Sequence, residues 1–301
     1  MFLSQNAMDD ESTLVDLAHQ QLCACNHNYQ SLLTNKIDSV KSFLKSRDVS
    51  QPLIVITSGG TTVPIEKNTV RFIDNFSTGI RGARLAEFFI SQNYSVIFLH
   101  RSGSEFPYIH RVWNPANPSG EFFSQNVPRF PDNFFSISFN QVFEYLLLLK
   151  EILQLIRPFQ RNAFVCLAAA VSDFYVPVEL MADHKLQSRD NQDDMSIVLR
   201  KVPKALGLVK KKWSPDAFVL AFKLETNHGL LLDKARESLE TNKVDLVLAN
   251  QLHTRYDQVF LVSELGERVA TLKRQSEEEE LEAMYIGPEL VRLHKLYAKT
   301  N

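Results

Sequence analysis

Cysteine is scarce in this chain of 301 residues, with only Cys23, Cys25 and Cys166. Three cysteines cannot build a disulfide framework, and Cys23-x-Cys25 lacks the second pair that a zinc site of that spacing needs. Cys166 falls inside a strand-like apolar run and reads as a small core residue. An excess of positive charge is missing too: 33 Lys and Arg face 35 Asp and Glu, a formal net charge of −2. That balance gives no electrostatic case for nucleic-acid binding. No apolar run approaches the roughly 18 residues of a membrane span. Met1 to Glu11 hold acidic side chains and no basic one, so a secretory leader is not expected. These absences predict a reducing, cytoplasmic compartment. What is left, 45% hydrophobic and 23% charged, is the composition of a globular protein.

The informative stretch begins with the apolar run Leu53-Ile54-Val55-Ile56-Thr57, which opens directly into Ser58-Gly59-Gly60-Thr61. Asp74-Asn75-Phe76-Ser77-Thr78-Gly79-Ile80-Arg81-Gly82 follows, and then a helical pattern. A buried strand ending in glycines, with a Ser/Thr/Gly-rich start to the next helix, builds an anion site. Backbone N–H groups are free there, and the helix dipole favours negative charge. The spacing therefore predicts a phosphorylated ligand. Gly59 and Gly60 are expected to let the backbone turn sharply and approach that ligand. Ser77 or Thr78 is expected to cap the helix, with Gly79 and Gly82 allowing close approach of a neighbour or a ligand. The plain alternative is an ordinary strand–turn–helix joint.

Residues 12 to 47 read as helix, with Asn26-His27-Asn28 as the place where it would break in two. Strands are predicted at Leu53–Thr57, Ser95–Leu99, Phe164–Ala168, Ala217–Phe222 and Val244–Ala249. A hairpin is predicted from Gln258–Val262 and Val269–Leu272. Helices are predicted at about Thr78–Gln92 (Ala83, Ala86, Phe89 and Ile90 inward), Phe143–Leu155, Leu230–Glu240 and Glu278–Tyr297. Residues 101 to 140 hold five prolines and many aromatics with no steady period, and are expected to be an insertion of loops and short pieces. The alternation predicts an α/β, Rossmann-like, three-layer fold. Its sheet should be doubly wound and mostly parallel, with a β-hairpin extension and a looped insertion. One domain is expected to span 1–301, with residues 1–50 as a helical extension. Ligands of such sheets bind beyond the carboxyl ends of the strands. That places Ser58-Gly59-Gly60-Thr61, His100-Arg101, Ala169 to Asp173, Lys223 to Thr226 and Asn250 at one edge.

Seven blocks occur in order. They are Thr57–Thr61, Val70–Gly79, Leu167–Tyr175, His184–Ser188, Lys201–Lys204, Phe222–Thr226 and Ala249-Asn250. Together they resemble the phosphopantothenate–cysteine ligase family of coenzyme A biosynthesis, in its eukaryotic form. The resemblance implies an enzyme joining the carboxylate of 4′-phosphopantothenate to the amine of cysteine through an acyl-nucleotide. It implies ATP as cosubstrate, where bacterial forms use CTP. Mg²⁺ would be carried by the nucleotide phosphates rather than by a protein site. It implies a homodimer, for which the alternating stretch Met195 to Val202 is a pairing strand. Carried over position by position, Asn75 and Lys185 are catalytic. Gly59, Gly60, Ser77, Gly79, Gly82, Ala169, Ala170, Asp173 and Asn250 bind substrate. Asp173, Lys185 and Phe222 meet the nucleotide.

Each residue also has a plain alternative. Asn75 suits a turn, Asp173 a loop or cap, and Lys185, Lys201 and Lys204 a solvated surface. Phe222 suits the core. Lys210-Lys211-Lys212 and Glu277–Glu280 read as solvated helix ends. The rival function is an NADP-dependent oxidoreductase, with Arg101 after the second strand meeting a 2′-phosphate. The first turn, however, lacks the Gly-x-Gly-x-x-Gly pattern that such a fold uses.

Overall fold

The computed structural model describes residues 10–109, 130–187, 195–265 and 269–300. Two helices, α1 (Glu11–Cys25) and α2 (Tyr29–Lys45), precede β1 (Leu53–Ser58). A short hairpin follows, β2 (Thr62–Pro64) with β3 (Phe72–Asp74), and then α3 (Ile80–Ser91), β4 (Ser95–Arg101), β5 (Phe134–Phe139) and α4 (Val142–Leu155). After β6 (Ala163–Leu167) come β7 (Phe174–Tyr175), β8 (Arg200–Lys201) and the single turn α5 (Leu206–Leu208). The chain closes with β9 (Phe218–Glu225), α6 (His228–Asn242), β10 (Leu246–Gln251), β11 (Gln258–Ser263), β12 (Val269–Lys273) and α7 (Gly287–Lys299).

The main sheet has eight strands in the order β12-β11-β10-β9-β6-β1-β4-β5. From β5 to β10 every neighbour is parallel. Only the β11–β12 hairpin runs antiparallel, at one edge. The central strands are apolar throughout because both faces are covered: all six residues of β1 are buried. Alternate residues feed opposite cores. Leu53 and Val55 pack with α4 and α6, while Ile54 and Ile56 pack with α3 and α7. Outside α4 lie α1 and α2, whose Leu14, Ala18, Leu22, Ile37 and Val40 are buried. The break between them falls at 26–28, as predicted. Strand order reverses between β1 and β6, so the crevice for a ligand lies beyond their carboxyl ends.

Three expectations need correction. Residues 134–139 of the presumed insertion are a sheet strand, registered on β4 from Val96↔Phe134 to Arg101↔Phe139; residues 110–129 lie outside the described residues. The closing helix does not begin at the acidic run. Leu281 follows a turn over 277–279, a π turn spans Glu282–Ile286, and only then does α7 begin. Lys210 is not solvated: its Nζ lies 2.9 Å from Asp245 Oδ2 and donates to the Ala217 carbonyl at 2.8 Å.

Candidate functional site

Past the end of β1 the chain keeps pairing. Ala170 N donates to Gly59 O at 2.8 Å, and Thr61 N donates to Ala170 O at 3.0 Å. Two hydroxyls reinforce this seam: Thr57 Oγ1 accepts from Ala169 N at 3.1 Å, and Thr61 Oγ1 accepts from Ser172 N at 2.9 Å. Asn75 N donates to Thr61 O at 3.2 Å. A Cβ on Gly60 would sit 1.7 Å from the Asn75 carbonyl oxygen. Gly60 is therefore required by the Asn75 backbone. A Cβ on Gly59 would meet Arg101 and Ser104, and one on Gly82 would meet Ser58. On the side where a Cβ would project, Gly59 faces Arg101 and Ser104, and Gly82 makes the close approach to a neighbour that the sequence allowed.

The first turn of α3 stands directly over the end of β1. Ser58 Oγ donates to Gly79 O at 2.9 Å. The N-cap is Gly79, with φ 84°, and no side chain caps the helix. Thr78 Oγ1 reaches Ile80 N only at 3.4 Å, and Ser77 plays no capping part. The predicted cap is thus wrong in residue. A glycine in the left-handed region starts the helix, and after Ile80 N the next first-turn N–H groups carry no side-chain cap, as an anion site needs.

On the other face of the sheet, between α4 and α6, lies a cavity of about 540 Å³. Leu167, Ala169 and Asp173 line it from the end of β6, and Ala221, Phe222 and Lys223 from β9. Tyr145, Leu146 and Leu149 form an apolar wall, and Ser238, Thr241 and Asn242 a polar one. Burial pushes the Tyr145 phenol up to about 12, so it stays a neutral donor, 3.5 Å from Thr57 Oγ1. Lys204, Lys223 and Lys234 stand at the margin. Glu225 holds two of them, 2.9 Å from Lys234 Nζ and 3.4 Å from Lys223 Nζ. The hydrogen bond from Lys234 lowers the Glu225 carboxyl below its usual range.

The predicted residues thus fall into two groups, with Lys185 and Asn250 apart from them. Gly59, Gly60, Asn75, Ser77, Gly79, Gly82, Ala169 and Ala170 form one connected cluster around the end of β1. Asp173, Ala169 and Phe222 line the cavity, and Lys204 joins them. Lys185 lies outside both, on an exposed loop tied to the β2–β3 turn by Lys67 N to Ala182 O at 2.9 Å. Asn250 lies one residue before the end of β10, 7% exposed and in register with Leu224. Thr57, Ser58, Thr61 and Ser172 are bonded to the protein itself. The side chains of Asn75, Asp173, Lys185 and Asn250 have no hydrogen-bond partner among the described residues. Arg101, the residue of the oxidoreductase reading, is engaged with Asp74 at 2.5 Å. Among the described residues no group of three His, Cys, Asp or Glu is placed to hold a metal ion. The polar wall from α6 and Lys234 were not singled out from sequence, because helix positions 234, 238, 241 and 242 belong to no motif, whereas Lys223 and Glu225 fall in a block predicted at the ligand edge.

Known proteins share this arrangement. The family profile described as DNA/pantothenate metabolism flavoprotein C-terminal domain matches residues 149–285. Phosphopantothenate–cysteine ligase of Homo sapiens is 39% identical over 256 residues, covering 76% of this chain and 80% of that protein. Phosphopantothenate–cysteine ligase CAB2 of Saccharomyces cerevisiae is 37% identical over 280 residues, 80% of this chain and 76% of its own. A solved Cab2 mutant in complex with phosphopantothenate-cysteine superposes with a TM-score of 0.74 at 31% identity, over 93% of this chain and 98% of that one.

Proposed function

The chain belongs to the phosphopantothenate–cysteine ligase family, and from that premise we propose that it condenses 4′-phosphopantothenate with cysteine at the expense of ATP. The observation that carries the reading is the set of unpartnered polar groups, Asn75, Asp173, Lys185 and Asn250, on the loops and strand end beyond the sheet. The substrate phosphate is assigned to the first turn of α3, beside Ser77, Gly79 and Gly82. The nucleotide is assigned to the cavity of Asp173 and Phe222, its phosphates towards Lys204, Lys223 and Lys234 and carrying Mg²⁺ with them.

In the first step a pantothenate carboxylate oxygen attacks the α-phosphorus, and the bond to pyrophosphate breaks. Lys185 is assigned to the charge that gathers on the departing pyrophosphate. In the second step the cysteine amine attacks the acyl carbon and AMP leaves. The Asn75 amide donates to the oxyanion that forms on that carbon. A neutral donor suits the task, because a nucleophilic side chain would capture the acyl-adenylate itself. Ala169 and Ala170 keep the space above the seam narrow in side chain.

Two short antiparallel strand pairs lie side by side, β2–β3 and β7–β8. Val70, Phe72, Phe76, Phe174, Val198 and Leu199, on them and next to them, are at least 41% exposed. A second copy of the chain is the proposed occupant of this apolar surface. Among the described residues no helix is long and apolar enough to cross a membrane; a cytoplasmic location is proposed.

The test is purified protein with phosphopantothenate, cysteine, Mg²⁺ and either ATP or CTP. The expected products with ATP are pyrophosphate and AMP in equal amounts. Stoichiometric ADP would overturn the acyl-adenylate route, and a clear preference for CTP would overturn the assigned nucleotide.

A further inference from the structure

Glu66 sits in the turn between β2 and β3, and its side chain is 0% exposed. A carboxylate buried so completely has to be fully bonded, and the partners it has are informative. Oε2 accepts from the backbone N–H of Arg71 at 3.0 Å and of Val70 at 3.3 Å. Oε1 accepts from Arg71 Nη1 at 2.7 Å. The backbone N–H of Leu186 also faces the carboxylate. Burial alone would raise this carboxyl, but the converging donors outweigh it and hold it below its usual range, so it stays charged.

Arg71 has a second arm. Its Nη2 donates to the Leu186 carbonyl at 3.2 Å. Both backbone groups of Leu186 are therefore addressed by one ion pair. The same turn grips the preceding residues: Lys67 N donates to Ala182 O at 2.9 Å, and Asn68 N donates to Asp183 O at 3.2 Å. Residues 183–185 and 187 are exposed, and 183–187 carry no regular secondary structure. The loop that bears Lys185 thus takes its place from the hairpin. That hairpin also leads, through β3, straight to Asn75.

We propose that Glu66, acting through Arg71, is a positioning residue that fixes Lys185 relative to Asn75. This rests on the role given to Lys185 above. The plain alternative is a buried ion pair that merely stabilises a hairpin. The two differ in what they control: a stabilising pair alters the whole fold, whereas a positioning pair alters the step that Lys185 serves.

The experiment is single-turnover formation of acyl-adenylate from labelled ATP and phosphopantothenate. It uses the full chain as wild type, Glu66→Gln, Lys185→Gln and the double variant. Glu66→Gln should slow adenylate formation by on the order of ten- to a hundredfold, the cost of a misplaced charge. Capture of supplied acyl-adenylate by cysteine should change by less than about threefold. In the Lys185→Gln background the Glu66 change should add little, since the two act as one unit. Amide exchange at residues 185–187 should quicken in Glu66→Gln while that of β1 and β6 does not. Equal slowing in both backgrounds would overturn the proposal, because Glu66 would then act without Lys185. A wild-type rate in Glu66→Gln beside a slow Lys185→Gln would overturn it while leaving the lysine role intact. A wild-type rate in Lys185→Gln would remove the lysine role and the proposal with it. Should Glu66→Gln not fold, Arg71→Lys repeats the test. It keeps a countercharge for Glu66 but lacks the second arm to Leu186.

Discussion

Asn75 has a fixed backbone and a free amide. Its N–H is bonded to Thr61 O, its carbonyl is packed against Gly60, and its side chain has no described partner. Asn75→Asp should therefore leave the fold intact and lose turnover by about a hundredfold or more, since a repelling charge replaces an oxyanion donor. Binding of phosphopantothenate, measured by calorimetry, should weaken far less. Turnover near that of wild type would remove the residue from the chemistry. At this scale the sequence located the segments that carry Asn75, Asp173 and Asn250, whose side chains have no described partner. It misled at Ser77 and Thr78, because a hydroxyl before a helix suggests a cap whether or not the backbone presents it. At the glycines it left two causes open. A glycine demanded by a neighbouring carbonyl and one demanded by a ligand look alike until the neighbour is known.

Elements tell a similar story. The apolar runs of β1, β4, β6, β9 and β10 announce buried parallel strands, and their order needs only right-handed crossovers. β5 was hidden because its partly exposed edge pattern follows a proline- and aromatic-rich stretch with no period. The closing helix was placed early because acidic residues suit a helix start, whereas Glu282 is buried instead, facing Arg81 and Arg84. α7 carries a feature that its sequence does not advertise. His294 is 2% exposed, lies against Phe164 and Phe218, accepts from Tyr94 OH at 2.9 Å and donates to Arg161 O at 3.0 Å. Burial pulls this imidazole down to about 4 from 6.5. Between those values the unfolded chain takes up a proton that the folded chain refuses, so stability is full above pH 6.5 and falls as pH drops towards 4. The loss should reach about 3 kcal/mol. His294→Gln should flatten that part of the profile in urea unfolding at pH 7, 5.5 and 4.5. Parallel profiles for the two proteins would show that His294 does not govern it.

For the molecule as a whole, the composition excluded more than it specified, and the family blocks supplied the function. The proposed assembly rests on exposed apolar side chains. If two copies meet at the β2–β3 and β7–β8 strand pairs, a charge at Val198, which is 60% exposed, should part them. Val198→Asp should sediment as a monomer at concentrations where the wild type is a dimer, with its thermal midpoint nearly unchanged. Identical sedimentation of both would place the contact elsewhere.

The seam from Gly59–Thr61 to Ala169-Ala170 has a geometric consequence. It closes the gap that an open doubly wound sheet leaves where its two halves diverge, so nothing can slide between β1 and β6. The first turn of α3 lies on one slope of the sheet, and the cavity between α4 and α6 on the other. The seam is the saddle between them. A phosphate seated on one slope and a nucleotide seated on the other can meet only at the crest. On the proposed placement of phosphate and nucleotide, a substrate held at its phosphate end would arch over Ala169 and Ala170 to react, its arm gauged by the width of that saddle.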